Sequence, residues 1–218
     1  KNAKELIASI LGAHFTLDFD TALKDETVTG YIPDCTKREA LQQIVFALRA
    51  TIDTSASRGV RVRRLTAASP ATIPLDRTYT GGSVETAAAV TEIRVTAHNY
   101  STSGSGESVE VGGTTYYHTT SVTSKANPNA TTQTKPNVIE VRDATLINSD
   151  NVAAVAQHVF DYYMRRQTHS VKIIVDKEAP GDYVQTTTPW GTKITGTITS
   201  MDIRLSGIAA AECKIIGT

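Results

Sequence analysis

From Val84 onward the chain breaks into short runs in which apolar and polar residues alternate, divided by turn sequences at roughly 8–12-residue spacing. A period of two puts successive side chains on opposite faces of a pleated strand, so such a chain must build half-buried sheets. Threonine supplies 33 of the 218 residues, and its branched β-carbon suits a pleated surface with a wet outer face. The predicted strands are Val84, Val90–Ala97, Val109–Val111, Thr114–His118, Val138–Val141, Val171–Val175, Tyr183–Thr187, Thr192–Ser200, Asp202–Leu205 and Ala210–Ile216. Gly112-Gly113 predicts a two-residue hairpin, because both positions can take positive φ. Ser101–Gly106, Ala179–Asp182 and Thr188–Gly191 read as turns, and Lys125–Pro136 as a mobile loop.

One long helix interrupts these strands, over about residues 151–167. Asp150 is its expected cap, and Val152, Val155, Ala156, Val159, Phe160 and Tyr163 are its apolar stripe. Arg165-Arg166 suits the negative end of the helix dipole. The helix is expected to pack on the strands C-terminal to it.

The first 65 residues read differently. Asn2 caps a helix to about Ala13 with Leu6, Ile7, Ile10 and Leu11 on one stripe. Phe15–Phe19 and Thr27–Ile32 read as extended. Thr36 and Glu39 form a capping box for a helix carrying Leu41, Ile44, Val45 and Leu48. Thr51–Thr54 and Val60–Leu65 then pair across a Ser55–Gly59 turn. The expected fold class is therefore α+β. A small α+β domain covers 1–65, a linker 66–72, and a mainly antiparallel β-barrel or sandwich domain with the long helix 73–218.

Lys+Arg and Asp+Glu are equal at 22 each, which argues against a dominant binder of nucleic acid or anionic membrane. No apolar run approaches the roughly 18–20 residues of a membrane span. The chain opens KNAKELIASIL, with neither Met nor an apolar leader, as expected of a fragment or a processed chain. Cys35 and Cys213 could form one bridge, but two buried free thiols are the expectation.

Motifs for chemistry are scarce. There is no nucleophile elbow, phosphate-binding loop, dinucleotide fingerprint or zinc-protease motif. His14, His98, His118, His158 and His169 are scattered. Asp18 and Asp20 near His14 could hold a divalent cation but read better as a solvated face. Glu107 and Glu110 could pair as glycosidase carboxylates but read better as solubilising. His158 reads as a boundary histidine. Arg58, Arg61, Arg63 and Arg64 form the densest basic run. Without interleaved aromatics it reads as a charged strand edge or a subunit-contact surface more than as a phosphate patch. Trp190 is a further subunit-contact candidate. Alternatively Trp190, with Tyr116 and Tyr117, could stack on sugar. No catalytic residue, metal site or cofactor is expected, and the chain does not read as an enzyme.

Three stretches carry a resemblance. GYIPDCTKREALQQIVFALRATIDTSASRGVRV resembles a segment of phage and prophage tail proteins. TIPLDRTYTGG with VTEIRVTAHNY looks like their next segment. KPNVIEVRDATLINSDNVAAVAQHVFDYYMRRQTHSVKIIVDKEAPGDYV, with the remaining residues to Thr218, looks like their C-terminal part. The resemblance implies a structural component of the virion tail or baseplate, similar to the hub proteins of tailed phages and contractile injection systems. It implies a homo-oligomer, a trimer or larger ring about the tail axis, with other tail proteins as partners and no small-molecule substrate. The alternative is a carbohydrate-binding adhesion module of the tail.

Overall fold

The computed structural model describes residues 1–54, 58–64, 69–131, 134–206 and 208–218. The fold is α+β. Helix α1 (Ala3–Leu11) begins where Asn2 Oδ1 accepts the Glu5 N–H. Strand β1 (Thr16–Phe19), helix α2 (Lys37–Ala47), and strands β2 (Ala50–Asp53) and β3 (Gly59–Arg64) come next. The capping box closes on both arms: the Glu39 N–H donates to Thr36 Oγ1 at 3.3 Å, and the Thr36 N–H to Glu39 Oε2 at 2.8 Å. The sheet order is β1-β3-β2, with β1 parallel and β2 antiparallel to β3. Ile7, Leu23, Ile44 and Val62 are fully buried in one apolar cluster beside it.

Thr27–Ile32 is not a strand; only an isolated bridge joins Thr27 to Asn2. Its polar backbone is satisfied elsewhere. Asn148 Nδ2 donates to the Thr29 carbonyl and Thr145 Oγ1 to the Tyr31 carbonyl. Of the predicted Ser55–Gly59 turn, residues 55–57 lie outside the described residues. The same holds for residues 66–68 of the predicted linker, while Ala71–Thr72 form strand β4.

Strand β5 (Ser83–Thr86) precedes β6 (Glu92–Ser101), β7 (Ser108–Val111), β8 (Thr114–Ala126) and β9 (Val138–Val141). The last four form a sheet in the order β7-β8-β6-β9. The β7–β8 turn has Gly112 at φ 58° and Gly113 at φ 77°, the region that glycine enters without strain. Strand β8 extends to Ala126, so the Lys125–Pro136 loop starts later than predicted; residues 132–133 of it lie outside the described residues.

Helix α3 (Val152–Met164) buries Val152, Val155, Ala156 and Val159. Its start differs from the expected Asp150 cap. Asn148 Oδ1 accepts the Asp150 N–H at 2.9 Å, and Asn151 Oδ1 accepts the Asn148 N–H at 2.9 Å. The helix stops before Arg165-Arg166, and the Arg166 guanidinium donates to the Ala87 carbonyl instead. From β8, Lys125 Nζ stands 5.2 Å over the ring of Phe160 on the helix. Two hydrogen bonds tie its approach to β6: His98 N–H to Ile147 O at 2.7 Å, and Ser149 N–H to Asn99 Oδ1 at 3.0 Å.

Strands β10 (Gln167–Ile174), β11 (Tyr183–Thr187), β12 (Lys193–Ser206) and β13 (Ile208–Gly217) join β4 and β5 in a sheet ordered β4-β11-β12-β13-β10-β5. It is a mainly antiparallel half-barrel. The two strands predicted over 192–205 are one, irregular between Ile198 and Ser200. Ile73, Val171, Ile173, Val184, Ile198, Cys213 and Ile215 form its core.

Contacts gather the chain into two units, neither continuous in sequence. Residues 1–65, 91–129 and 138–160 form one; residues 66–90, 130–137 and 161–218 form the other. The units follow the sheets rather than chain order.

Candidate functional site

Arg61, Arg63 and Arg64 of the basic run lie on β3, the middle strand of its sheet, and so are not the charged edge expected; Arg58 just precedes it. Alternation sends Arg61 and Arg63 to the exposed face, and aspartates on both neighbours meet them. Arg61 Nε lies 2.7 Å from Asp18 Oδ2, and Asp53 Oδ2 lies 3.8 Å from Arg61 and 3.5 Å from Arg63. Arg64 pairs with Glu26 at 2.5 Å. Arg58 takes a positive φ of 56°, and its carbonyl accepts the Thr16 N–H. The run is a neutralised ladder. Asp18 and Asp20 are accounted for in the same way. Asp18 faces Arg61, while Asp20 caps a single turn at Thr21–Leu23 and accepts the Arg64 N–H. Those two backbone hydrogen bonds, the Ala22 N–H first, hold the Asp20 carboxyl below its ordinary value.

Trp190 is 71% exposed on the β11–β12 turn. Thr188 and Thr192 brace that turn, with hydroxyls 2.6 Å apart. A hollow of about 380 Å³ opens beside it, walled by Leu75, Tyr79, Thr188, Pro189, Gly191 and His169. Tyr116 and Tyr117 belong to the other unit and, as β8 neighbours, point to opposite faces of that strand. Gly104 sits against the Tyr117 ring, which covers part of it. The two tyrosines therefore do not form one platform.

Glu107 and Glu110 do not converge either. Glu110 on β7 pairs with Thr115 on β8, and Glu107 turns toward His118. Asp202 and Glu212 do share a hollow, of about 530 Å³, with Lys172 and Lys214. Both carboxylates are more than half exposed and lie 3.7 and 3.6 Å from Arg204, an arrangement that neutralises charge. Among the described residues no group of three metal-ligating side chains converges, and no helix is long and apolar enough to cross a membrane.

Sequence reasoning missed one constellation. His98 on β6 and His118 on β8 are 20 residues apart, yet the antiparallel register of the two strands lays their rings parallel within 3°. His98 Nδ1 lies 3.0 Å from His118 Nε2, and His98 Nε2 lies 2.6 Å from the Arg142 carbonyl. His118 Nδ1 lies 3.4 Å from Glu107, and the Tyr100 ring stacks on His118 at 4.8 Å. Only the strand pairing brings these groups together, so no local spacing announces them. His158 is half-buried on α3, and His169 is fully buried on β10.

No protein-family model and no curated protein matches the chain. Solved structures do. The tail protein from Neisseria meningitidis MC58 aligns with a TM-score of 0.61 at 12% identity, over 99% of this chain and 65% of its own. The 43 kDa tail protein of prophage MuSo2 from Shewanella oneidensis aligns at 0.62 and 8% identity, over 97% and 65%. A chain of the native gene transfer agent virion aligns at 0.61 and 15% identity, over 97% and 46%. The chain thus spans 46% to 65% of the length of these proteins. At such identities the likeness is one of fold, and the chain has the fold of phage and prophage tail proteins.

Proposed function

We propose that this chain is a structural, non-catalytic part of a phage or prophage tail. It resides in the virion tail, contributes to a hub-like ring of three or more copies, and has other tail proteins as neighbours. The observation that carries this reading is the fold likeness to tail proteins over 97% to 99% of the chain.

A second feature supports assembly. The tip of the β12–β13 hairpin exposes Ile203 (51%), Leu205 (83%) and Ile208 (56%). Arg204 lies 3.7 Å from Asp202 and 3.6 Å from Glu212 beside them, so the charges next to the tip are partly paired. Trp190, Arg58, Arg61, Arg63 and Arg64 are the other proposed contact residues. Light scattering across a concentration series, with negative-stain imaging, tests the ring. A trimer or larger ring that Leu205→Asp disperses is expected; a monomer at every concentration excludes it. Antibody against the chain should label the tail of the parent particle, and labelling of no particle removes the tail role.

A sugar-binding adhesion role is the second reading, favoured by the exposure of Trp190 beside its hollow. A glycan array with Trp190→Ala as control decides it. Binding that is lost in the variant supports it, and no binding removes it.

A further inference from the structure

We propose that His98 and His118 form a single-proton latch, which fastens the turn carrying Glu107 onto β8 when the pair takes up one proton. Proton counting carries the proposal. The Arg142 carbonyl can only accept, so His98 Nε2, 2.6 Å away, must carry hydrogen. The inter-ring contact of 3.0 Å needs one hydrogen on either His98 Nδ1 or His118 Nε2. The carboxylate of Glu107, 80% exposed and 3.4 Å from His118 Nδ1, forms an ion pair there only when that nitrogen carries hydrogen. Two hydrogen bonds and one ion pair together take three protons on four ring nitrogens.

Two neutral imidazoles hold only two protons. They satisfy the buried carbonyl and the inter-ring bond, and they leave a bare His118 Nδ1 facing a carboxylate. One added proton completes all three contacts and gives the pair a single positive charge opposite Glu107. A second added proton sets N–H against N–H and breaks the inter-ring bond. The pair is therefore built for one extra proton, whichever ring formally holds it.

The surroundings fit. His98 is 8% exposed, so its bond to Arg142 is shielded. Tyr100 covers the face of His118, and Tyr31 meets Tyr100 edge-on at 6.3 Å. Burial, then the charge of Glu107, then Tyr31, raise the Tyr100 phenol above its ordinary value, so it stays neutral while imidazoles titrate. The Arg142 guanidinium is turned to Glu140, so Glu107 is the facing charge among these contacts. The Glu107 carbonyl also accepts the His118 backbone N–H at 2.8 Å, so turn and strand are joined at two points, one of them dependent on the proton.

Ring nitrogen-15 NMR of the full chain, titrated from pH 8 to pH 5, tests the count. The pair is expected to gain one proton in one step seen on both rings. Two separate steps, or a gain of two protons, overturns the proposal. Hydrogen exchange of the His118 backbone amide tests the latch, using Glu107→Gln, a change at an exposed side chain. On the protonated side of that titration the variant should lose about two- to fivefold protection, the scale of an exposed ion pair, and on the deprotonated side it should match the parent. Equal loss on both sides, or none on the protonated side, overturns it.

Discussion

Arg77 Nη2 lies 2.6 Å from both carboxylate oxygens of Glu178, and the same guanidinium donates to the Ile174 carbonyl through Nε and Nη2. The pair is mostly enclosed, with side chains 24% and 9% exposed. It pins the short turn at Leu75–Arg77 to the end of β10, 97 residues further along the chain. Strand β4 on one side and the Thr78–Ile173 bridge on the other hold the rest of the segment entering the half-barrel.

Arg77→Met leaves the Glu178 carboxylate enclosed without its cation. A loss of about 2 kcal/mol is expected in chemical denaturation, below the value for a fully buried pair because both groups keep some water. Arg77→Met/Glu178→Met should recover much of it. Equal losses in the single and double variants refute the ion pair as the cause.

The same pair sets an acid dependence. Burial pushes the Glu178 carboxyl up, but the Arg77 hydrogen bond, the Asp176 N–H and the Arg77 charge outweigh it, so the group sits below its ordinary 4.5. A lowered native value means that the contribution is complete above pH 4.5 and fades as pH falls through the native value. Unfolding curves of Glu178→Gln should therefore show a shallower loss of stability below pH 4.5 than the parent. Parallel curves would contradict this.

His169 is fully buried, and no group among the described residues hydrogen-bonds either of its ring nitrogens. Burial lowers its basicity below the ordinary 6.5, so the folded chain holds it neutral. As pH drops below 6.5, the unfolded chain takes a proton that the fold refuses, and stability falls. His169→Leu should raise stability at neutral pH by about 1 kcal/mol, by removing unpaired polar atoms, and flatten the acid limb. A destabilised variant with an unchanged acid limb would show that the imidazole is better satisfied than its neighbours indicate.

Gly196 and Gly217 face each other across β12 and β13. A Cβ on Gly196 would run into the Ile216 carbonyl, and one on Gly217 into the Thr195 carbonyl. Backbone cannot yield as a side chain does, so Gly196→Ala and Gly217→Ala should each cost at least about 2 kcal/mol in thermal unfolding. Gly106→Ala, where a Cβ meets nothing within 4 Å but φ is 105°, should cost less. Equal costs at all three sites would assign the effect to backbone conformation alone.

Burial, then the charge of Glu178, push the Cys213 thiol up to about 11. Only a thiolate attacks an alkylating reagent. Cys35 is half-buried, not buried as expected, and neither cysteine is bridged. Native protein at pH 8 should release one equivalent of chromophore from a disulfide reagent quickly, and denatured protein two. Two fast equivalents from native protein would mean that the half-barrel core opens readily.

The local elements were legible in sequence because their causes are local. Asn2 and the Thr36–Glu39 box start their helices through bonds within three residues. Gly112-Gly113 turns its hairpin through two dihedral angles. The stripe from Val152 to Val159 and the alternation in β6 needed only a period. What failed, failed where a distant partner decided. Thr27–Ile32 has strand composition, but residues near 145 take its carbonyls. The arginines of β3 look like an edge until β1 and β2 flank them with aspartates. Grouping residues 91–129 with 1–65, stacking His98 on His118 and joining Arg77 to Glu178 all depend on strand register and chain return. Those cost loop-closure entropy over tens of residues and are settled by packing of whole sheets, which no window along the chain contains.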